Sequence, residues 1–206
     1  MAEDASQYLP SRRTLPALRR ASQDCRGCDL WRDATQTVFG AGPGKAELML
    51  VGEQPGDRED REGEPFVGPA GGLLRKALDE AEIDPEATYI TNAVKHFKWR
   101  AQGKRRLHQT PRVGEVEACK PWLRAEVAAV KPRAIVALGA TASRSLFGPG
   151  VKVTKDRGRL LECELAPVAA VTVHPSALLR LRDADERHAA LAELVDDLGV
   201  VTAALR

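Results

Sequence analysis

A carboxylate and an amide stand side by side at Glu53 and Gln54, directly after the apolar run of residues 46–51. The segment that holds them, GEQPGDREDREGEPFVGPAGGLL over residues 52–74, also carries acids at Asp57, Glu59 and Asp60 and a lone Phe66 between Pro65 and Gly68. Carboxylate, amide and one aromatic together suit a pocket for a flat polar ring, stacked on its face and hydrogen-bonded at its edge. An acidic surface loop would explain the acids but not the aromatic. His174 sits in Val173-His174-Pro175-Ser176, where an apolar run stops at a proline, a poor place for a core histidine. Asn92 follows Tyr89-Ile90-Thr91, and its amide presents a donor and an acceptor together.

The elements that must position these groups are legible from hydrophobic periodicity. Strand candidates fall at 46–51, 88–93, 133–138, 159–164 and 168–173, and helix-period segments at 70–83, 113–130, 140–147 and 185–204. Strands alternating with helices imply right-handed crossovers and an α/β fold, with a mostly parallel sheet covered on both faces. Glu53-Gln54, Asn92 and His174 all follow the C-terminal ends of strand candidates. They should therefore share one rim of the sheet, where open α/β folds bind ligands.

At 206 residues the chain is expected to form one domain over 1–206, with residues 1–24 as a helical lead-in. Hydrophobic residues make up 43% and charged residues 29%, the balance of a soluble globular protein. The opening MAEDASQYLPSRR has no apolar signal region and no apolar run reaches membrane-spanning length. These features point to a cytoplasmic protein with no membrane partner, and nothing demands an obligate protein partner or more than a monomer. The net charge is only +2, yet Lys95, Lys98, Arg100, Lys104, Arg105 and Arg106 cluster without an acid, interleaved with Phe97 and Trp99. That mixture suits a phosphate backbone and stacked bases.

Four cysteines in a cytosolic chain are metal ligands or core residues more readily than disulfides. Cys25-Arg26-Gly27-Cys28 is a CxxC; Cys119 falls early on a predicted helix, and Cys163 in the apolar stretch 160–165. A CxxC with one or two remote sulfurs fits zinc or a cluster of iron and sulfide, and spacing alone does not separate them. A redox dithiol fits less well, because the pair does not follow a strand at a helix start.

Taken together, GEQPG, PFVGPAG, TNAVK, the CxxC with Cys119, and HPS resemble the uracil-DNA glycosylase superfamily. The nearest part is its iron–sulfur group, family four, and within that the UdgX type. The resemblance runs from about Cys25 to the last helix. It implies a three-layer αβα fold around a four-stranded parallel sheet, uracil-containing DNA as partner and a [4Fe–4S] cluster as cofactor. In iron–sulfur relatives a cysteine follows the TNxVK segment; His96 stands there in this chain. The implied ligand set is Cys25, Cys28, His96 and Cys119, with Cys163 as the alternative to His96. The segment Arg100–Pro111, containing KRRLH, departs from hydrolytic relatives. It resembles the basic loop of the UdgX type, whose histidine joins covalently to the abasic sugar; His108 is the matching residue.

What the resemblance implies for each residue is specific. Phe66 would stack on uracil, while Asn92 and Gln54 hold its edges and Asp60 lies among the substrate-binding acids. His174 would donate to uracil O2, and Glu53 would face the sugar's positive charge. His108 would be the nucleophile, kept neutral by Lys104, Arg105 and Arg106. Lys95, Lys98, Arg100, Lys104, Arg105, Arg106 and Ser176 would contact DNA. Leu178 and Leu179 would wedge into the space that a flipped base vacates. The product would be a single-turnover protein–DNA adduct; a conventional turning-over glycosylase is the alternative.

Overall fold

The computed structural model describes residues 4–206. Along the chain it places α1 (Leu15–Ser22), β1 (Leu48–Gly52), α2 (Asp57–Glu62), α3 (Pro69–Glu80), β2 (Thr88–Asn92), β3 (Trp99–Gln102) and β4 (Arg105–His108). There follow α4 (Val113–Val130), β5 (Ala134–Leu138), α5 (Ala140–Phe147), α6 (Val153–Asp156), β6 (Val168–Thr172) and α7 (Ala184–Leu205). Four strands pair in the order β2-β1-β5-β6, all parallel, as the alternation of strand and helix patterns predicts.

Successive side chains of a strand leave opposite faces of the sheet, so strands covered on both sides are apolar throughout. Leu48 and Leu50 enter one core with Leu74 and Leu78 of α3 and Leu194 and Leu198 of α7. Met49 and Val51 enter the other with Leu123 and Val127 of α4 and Ala142 of α5. A third cluster joins the N-terminal segment to α4 through Leu18, Phe39, Val116 and Trp122. No helix among the described residues is long and apolar enough to cross a membrane.

Two segments differ from their sequence-based expectation. Residues 159–164 do not form a strand: Leu160 makes a single antiparallel bridge to Ala170, and Glu162 and Glu164 stay exposed. With apolar side chains on one side only, the segment lies against the edge of β6 without extending the sheet. The basic insert 95–111 is not an open loop. Its β3 and β4 form an antiparallel hairpin pairing Trp99 with His108, turned at Gly103, whose φ of 59° favours glycine.

Burial also removes one residue from the expected DNA surface. Lys95 is 1% exposed, and its Nζ donates to the Glu126 carboxylate, to Thr91 Oγ1 at 2.7 Å and to the Asn92 carbonyl at 2.8 Å. Glu126 Oε1 also accepts from the Tyr89 hydroxyl and the Gly40 amide. A buried cation needs such partners, and Lys95 has spent its charge on them. Removing it strands the Glu126 carboxylate in the core, so Lys95→Ala should lose about 3–5 kcal/mol of stability in urea denaturation. A loss within the range of a surface lysine would contradict this role.

Candidate active site

The C-terminal rim of the sheet opens into a cavity of about 110 Å³ lined by Gln54, Phe66, Ala70, Asn92, His108, His174 and Ser176, with Gly56 and Glu59. Three strand ends supply it, as the sequence predicts: the stretch after β1, the last residue of β2, and the turn after β6.

The wall after β1 depends on close approaches. A Cβ on Gly52 would lie 2.4 Å from Asn92 Oδ1 and 2.6 Å from Phe66 Cζ, so only glycine lets both side chains reach the cavity. Phe66 takes a left-handed φ of 56°, and its carbonyl lies where a Cβ on Gly71 would fall, 1.7 Å away. Glu59 fixes both ends of this loop, accepting from Gly56 N at 3.0 Å and Gly68 N at 2.7 Å. Asn92 Oδ1 is buried and has no hydrogen-bond partner among the described residues. An unpaired buried acceptor costs on the order of 1–3 kcal/mol and asks for a donor from the cavity.

The two histidines are held differently. His174 Nδ1 accepts from the Ser176 amide at 3.2 Å and lies 2.8 Å from its hydroxyl. Its proton therefore sits on Nε2. The Phe66 ring packs against it, centroids 5.8 Å apart. His108, at the end of β4, directs Nε2 to Glu53 Oε1 at 3.3 Å, and Glu53 Oε2 accepts from the Thr141 hydroxyl. Burial pulls His108 below the ordinary histidine value; Glu53 opposes this and Arg180 adds to it. Neutrality was expected from Lys104, Arg105 and Arg106. Its causes are instead burial and Arg180, a residue with no distinguishing mark in the sequence.

Other expected contacts are displaced. The side chain of Gln54 is fully engaged with the hairpin, donating to the Lys98 and Gln109 carbonyls at 3.2 Å each and accepting from Lys98 N at 3.0 Å. Only its backbone is left for a ligand. Asp60 does not line the cavity: fully buried, it accepts from Arg106 Nη1 at 2.6 Å and Thr35 N at 3.0 Å. Arg106 is thereby an internal clamp and not a free DNA contact. Lys98 is paired to Glu115 at 2.8 Å, whereas Arg100, Lys104 and Arg105 are exposed. Ser176 serves His174 at the cavity wall. Leu178 is core, and Leu179 is exposed.

Cys25, Cys28 and Cys119 share the cluster around Trp122, with Trp122 Nε1 donating to Cys25 Sγ at 3.2 Å and Lys95 N to Cys119 Sγ at 3.3 Å. Burial pushes the Cys119 thiol up to about 12, against the pull of Lys95. His96 Nε2 meets Thr37 Oγ1 at 2.9 Å, and burial lowers its imidazole to about 4. Cys163 packs against a separate core cluster. Among the described residues no three His, Cys, Asp or Glu side chains are gathered closely enough to hold a metal ion.

Burial lowers His174 to about 4, with His108 and Arg180 adding repulsion. The unfolded chain takes up this proton near 6.5 and the folded chain only near 4. The neutral imidazole's contribution is therefore full above about pH 6.5 and is lost as pH falls toward 4. Urea denaturation at pH 7 and pH 5 should show lower stability at pH 5, and His174→Asn should reduce that difference. An unchanged difference would place the proton uptake elsewhere.

Residues 39–199 match the Uracil DNA glycosylase superfamily. The chain is 39% identical over 171 residues to the type-4 uracil-DNA glycosylase of Thermotoga maritima, covering 82% of this chain and 85% of that protein. It is 38% identical over 173 residues to that of Pyrobaculum aerophilum, covering 81% and 85%. For that of Sulfurisphaera tokodaii the identity is 34% over 174 residues, covering 81% and 76%. With three of its four parallel strands ending on one cavity, this chain belongs to the uracil-DNA glycosylase superfamily.

Proposed function

We propose that this protein excises uracil from DNA and that His108 then captures the sugar left behind. The observation that carries the excision reading is Asn92 Oδ1, a buried acceptor at the cavity wall with no partner among the described residues. Uracil brings the donor it lacks, N3–H, while O4 accepts from the same amide's Nδ2. Cytosine has no hydrogen at N3 and an amino group at C4, so both contacts fail, a mismatch that discriminates strongly. Phe66 stacks on the ring, and the backbone of Gln54 borders the opposite edge.

The base reaches the cavity by leaving its stack, at a cost of a few kcal/mol. Arg100, Lys104 and Arg105, exposed on the hairpin, hold the phosphates. As the bond between C1′ and N1 breaks, its electron pair leaves with uracil. The Nε2–H of His174, fixed by Ser176, donates to uracil O2; preorganised donors of this kind contribute about 2.7–4 kcal/mol. Glu53 faces the positive charge that develops on the sugar. Neutral His108 then forms a bond from a ring nitrogen to C1′, and the proton on its other nitrogen passes to Glu53. A held nucleophile competes with water through effective molarities of roughly 10⁵ M or more.

A second reading has its own support. Glu53 is partly exposed and within reach of water, and the relatives are named simply as type-4 uracil-DNA glycosylases. Water would then replace His108, and the enzyme would turn over.

For the cofactor we propose a [4Fe–4S] cluster on Cys25, Cys28, Cys119 and His96. Cys25, Cys28 and Cys119 line one apolar patch without converging on a single ion, and two of them receive N–H donors, as cluster sulfurs do. The Thr37 contact on His96 Nε2 is the outer partner a ligating imidazole uses, leaving Nδ1 for the metal. Cys163, on the other core, is a poor candidate. When bound, the cluster would link the N-terminal segment, the hairpin base and α4.

Incubated with uracil-containing single-stranded DNA and run on a denaturing gel, the protein should give a shifted band that survives SDS and heat. His108→Ala should release uracil without that band. Free abasic DNA and no adduct from the unsubstituted protein would establish the turning-over reading, and no uracil release at all would remove both. Protein purified without oxygen should be coloured and carry about four iron and four sulfide per chain; a colourless, zinc-loaded protein would exclude the cluster.

A further inference from the structure

Glu53 is held at two points, and the second has no place in the chemistry described so far. Its Oε1 faces His108, and its Oε2 accepts from the hydroxyl of Thr141, a residue 88 positions away in sequence. Thr141 is the second residue of α5, whose start is fixed by Gly139. At Gly139 φ is 89°, and a Cβ would lie 2.9 Å from His174 Cβ. The turn that brings Thr141 to Glu53 is thus the turn that packs against His174. A glutamate's terminal torsion is broad and roughly two-fold, so one contact does not determine which oxygen faces a ligand. A hydroxyl donating to a carboxylate makes a strong, directional bond, and a β-branched threonine in a helix has only two common χ1 rotamers, of which this bond selects one.

We propose that Thr141 is a positioning residue for base excision: by holding Glu53 Oε2, it presents Oε1 to His108 and to the sugar. Thr141 touches neither the base nor the sugar in this role and acts only through Glu53. The inference rests on the reading of this cavity as the excision site, but not on whether His108 or water completes the reaction.

The test is single-turnover uracil release from a uracil-containing single-stranded oligonucleotide, with protein in excess. Thr141→Val keeps the shape and removes the donor. It should slow release by about tenfold, the scale of one charge-assisted hydrogen bond, with unchanged half-saturating protein concentration. Thr141→Ser should restore release to within about twofold. In a Glu53→Gln background, adding Thr141→Val should cost less than about twofold, because residues acting through one group are not additive. If Thr141→Val fails to fold, Thr141→Ala carries the same comparison. An equal loss in both backgrounds, a serine variant no better than valine, or an unaffected rate would each overturn the assignment. No uracil release from the unsubstituted protein would instead remove the excision reading beneath it.

Discussion

The guanidinium of Arg106 is the tie on which the geometry of the site depends. Its Nε meets Asp57 Oδ1 at 2.5 Å, and its Nη1 meets Asp60 Oδ2 at 2.6 Å and Thr35 Oγ1 at 3.2 Å. One planar fork thereby joins three segments: the β4 strand of the hairpin, the helix α2 that follows β1, and the stretch after the CxxC. Arginine suits this place because its donors diverge in a fixed plane and its charge does not titrate away. The fully buried Asp60 cannot sit there alone, since an unpaired buried carboxylate is costly. Each group therefore depends on the other. His108 lies two residues beyond Arg106 on the same strand, so the clamp sets where its imidazole emerges.

Gln54 reinforces the same joint from the sheet side. Its amide bonds the hairpin at Lys98 and Gln109, immediately before β3 and after β4. Trp99 adds a third contact, its indole N–H donating to the Asp33 carbonyl at 2.8 Å. A two-stranded hairpin is marginal alone; this one is stable in place because three polar ties and the packing of Phe97 anchor its base. The turn around Gly103 and the side chains of Arg100, Lys104 and Arg105 are left to solvent. The division is physical: cations near the joint are consumed by structure, and those toward the tip are available to phosphates.

This division explains what was and was not legible in the sequence. Continuous apolar runs and period-3.6 patterns carry the sheet and its helices, since burial on both faces leaves strands such as Leu48–Gly52 apolar throughout. The placement of Asn92 and His174 at strand ends follows from the same pattern. Charge composition was less informative. Lys95, Lys98 and Arg106 read like Arg100 and Arg105 in a string of letters, and only their acidic partners, Glu126, Glu115, Asp57 and Asp60, separate them. Those partners lie far away along the chain. Thr141 and Arg180 were silent for the same reason, as a helix-start threonine and a surface arginine carry no local sign of a carboxylate or imidazole beside them. Gly52 was hidden because its necessity comes from Asn92 and Phe66 approaching it.

The two imidazoles at the cavity show how one environment supports two chemical characters. Both are pulled below the ordinary histidine value by burial, and both feel Arg180, so neither carries charge near neutral pH. Their outer partners then set them apart. A backbone N–H at Nδ1 leaves His174 able only to donate from Nε2, the character our proposal needs opposite a leaving anion. A carboxylate beside His108 accepts an N–H and increases the basicity of the ring, the character our proposed nucleophile needs. Those partners, more than the lowered values the two rings share, distinguish their hydrogen bonding. The asymmetry between the two imidazoles therefore resides less in the histidines than in Ser176 and Glu53, and in the strand ends that hold them at one cavity.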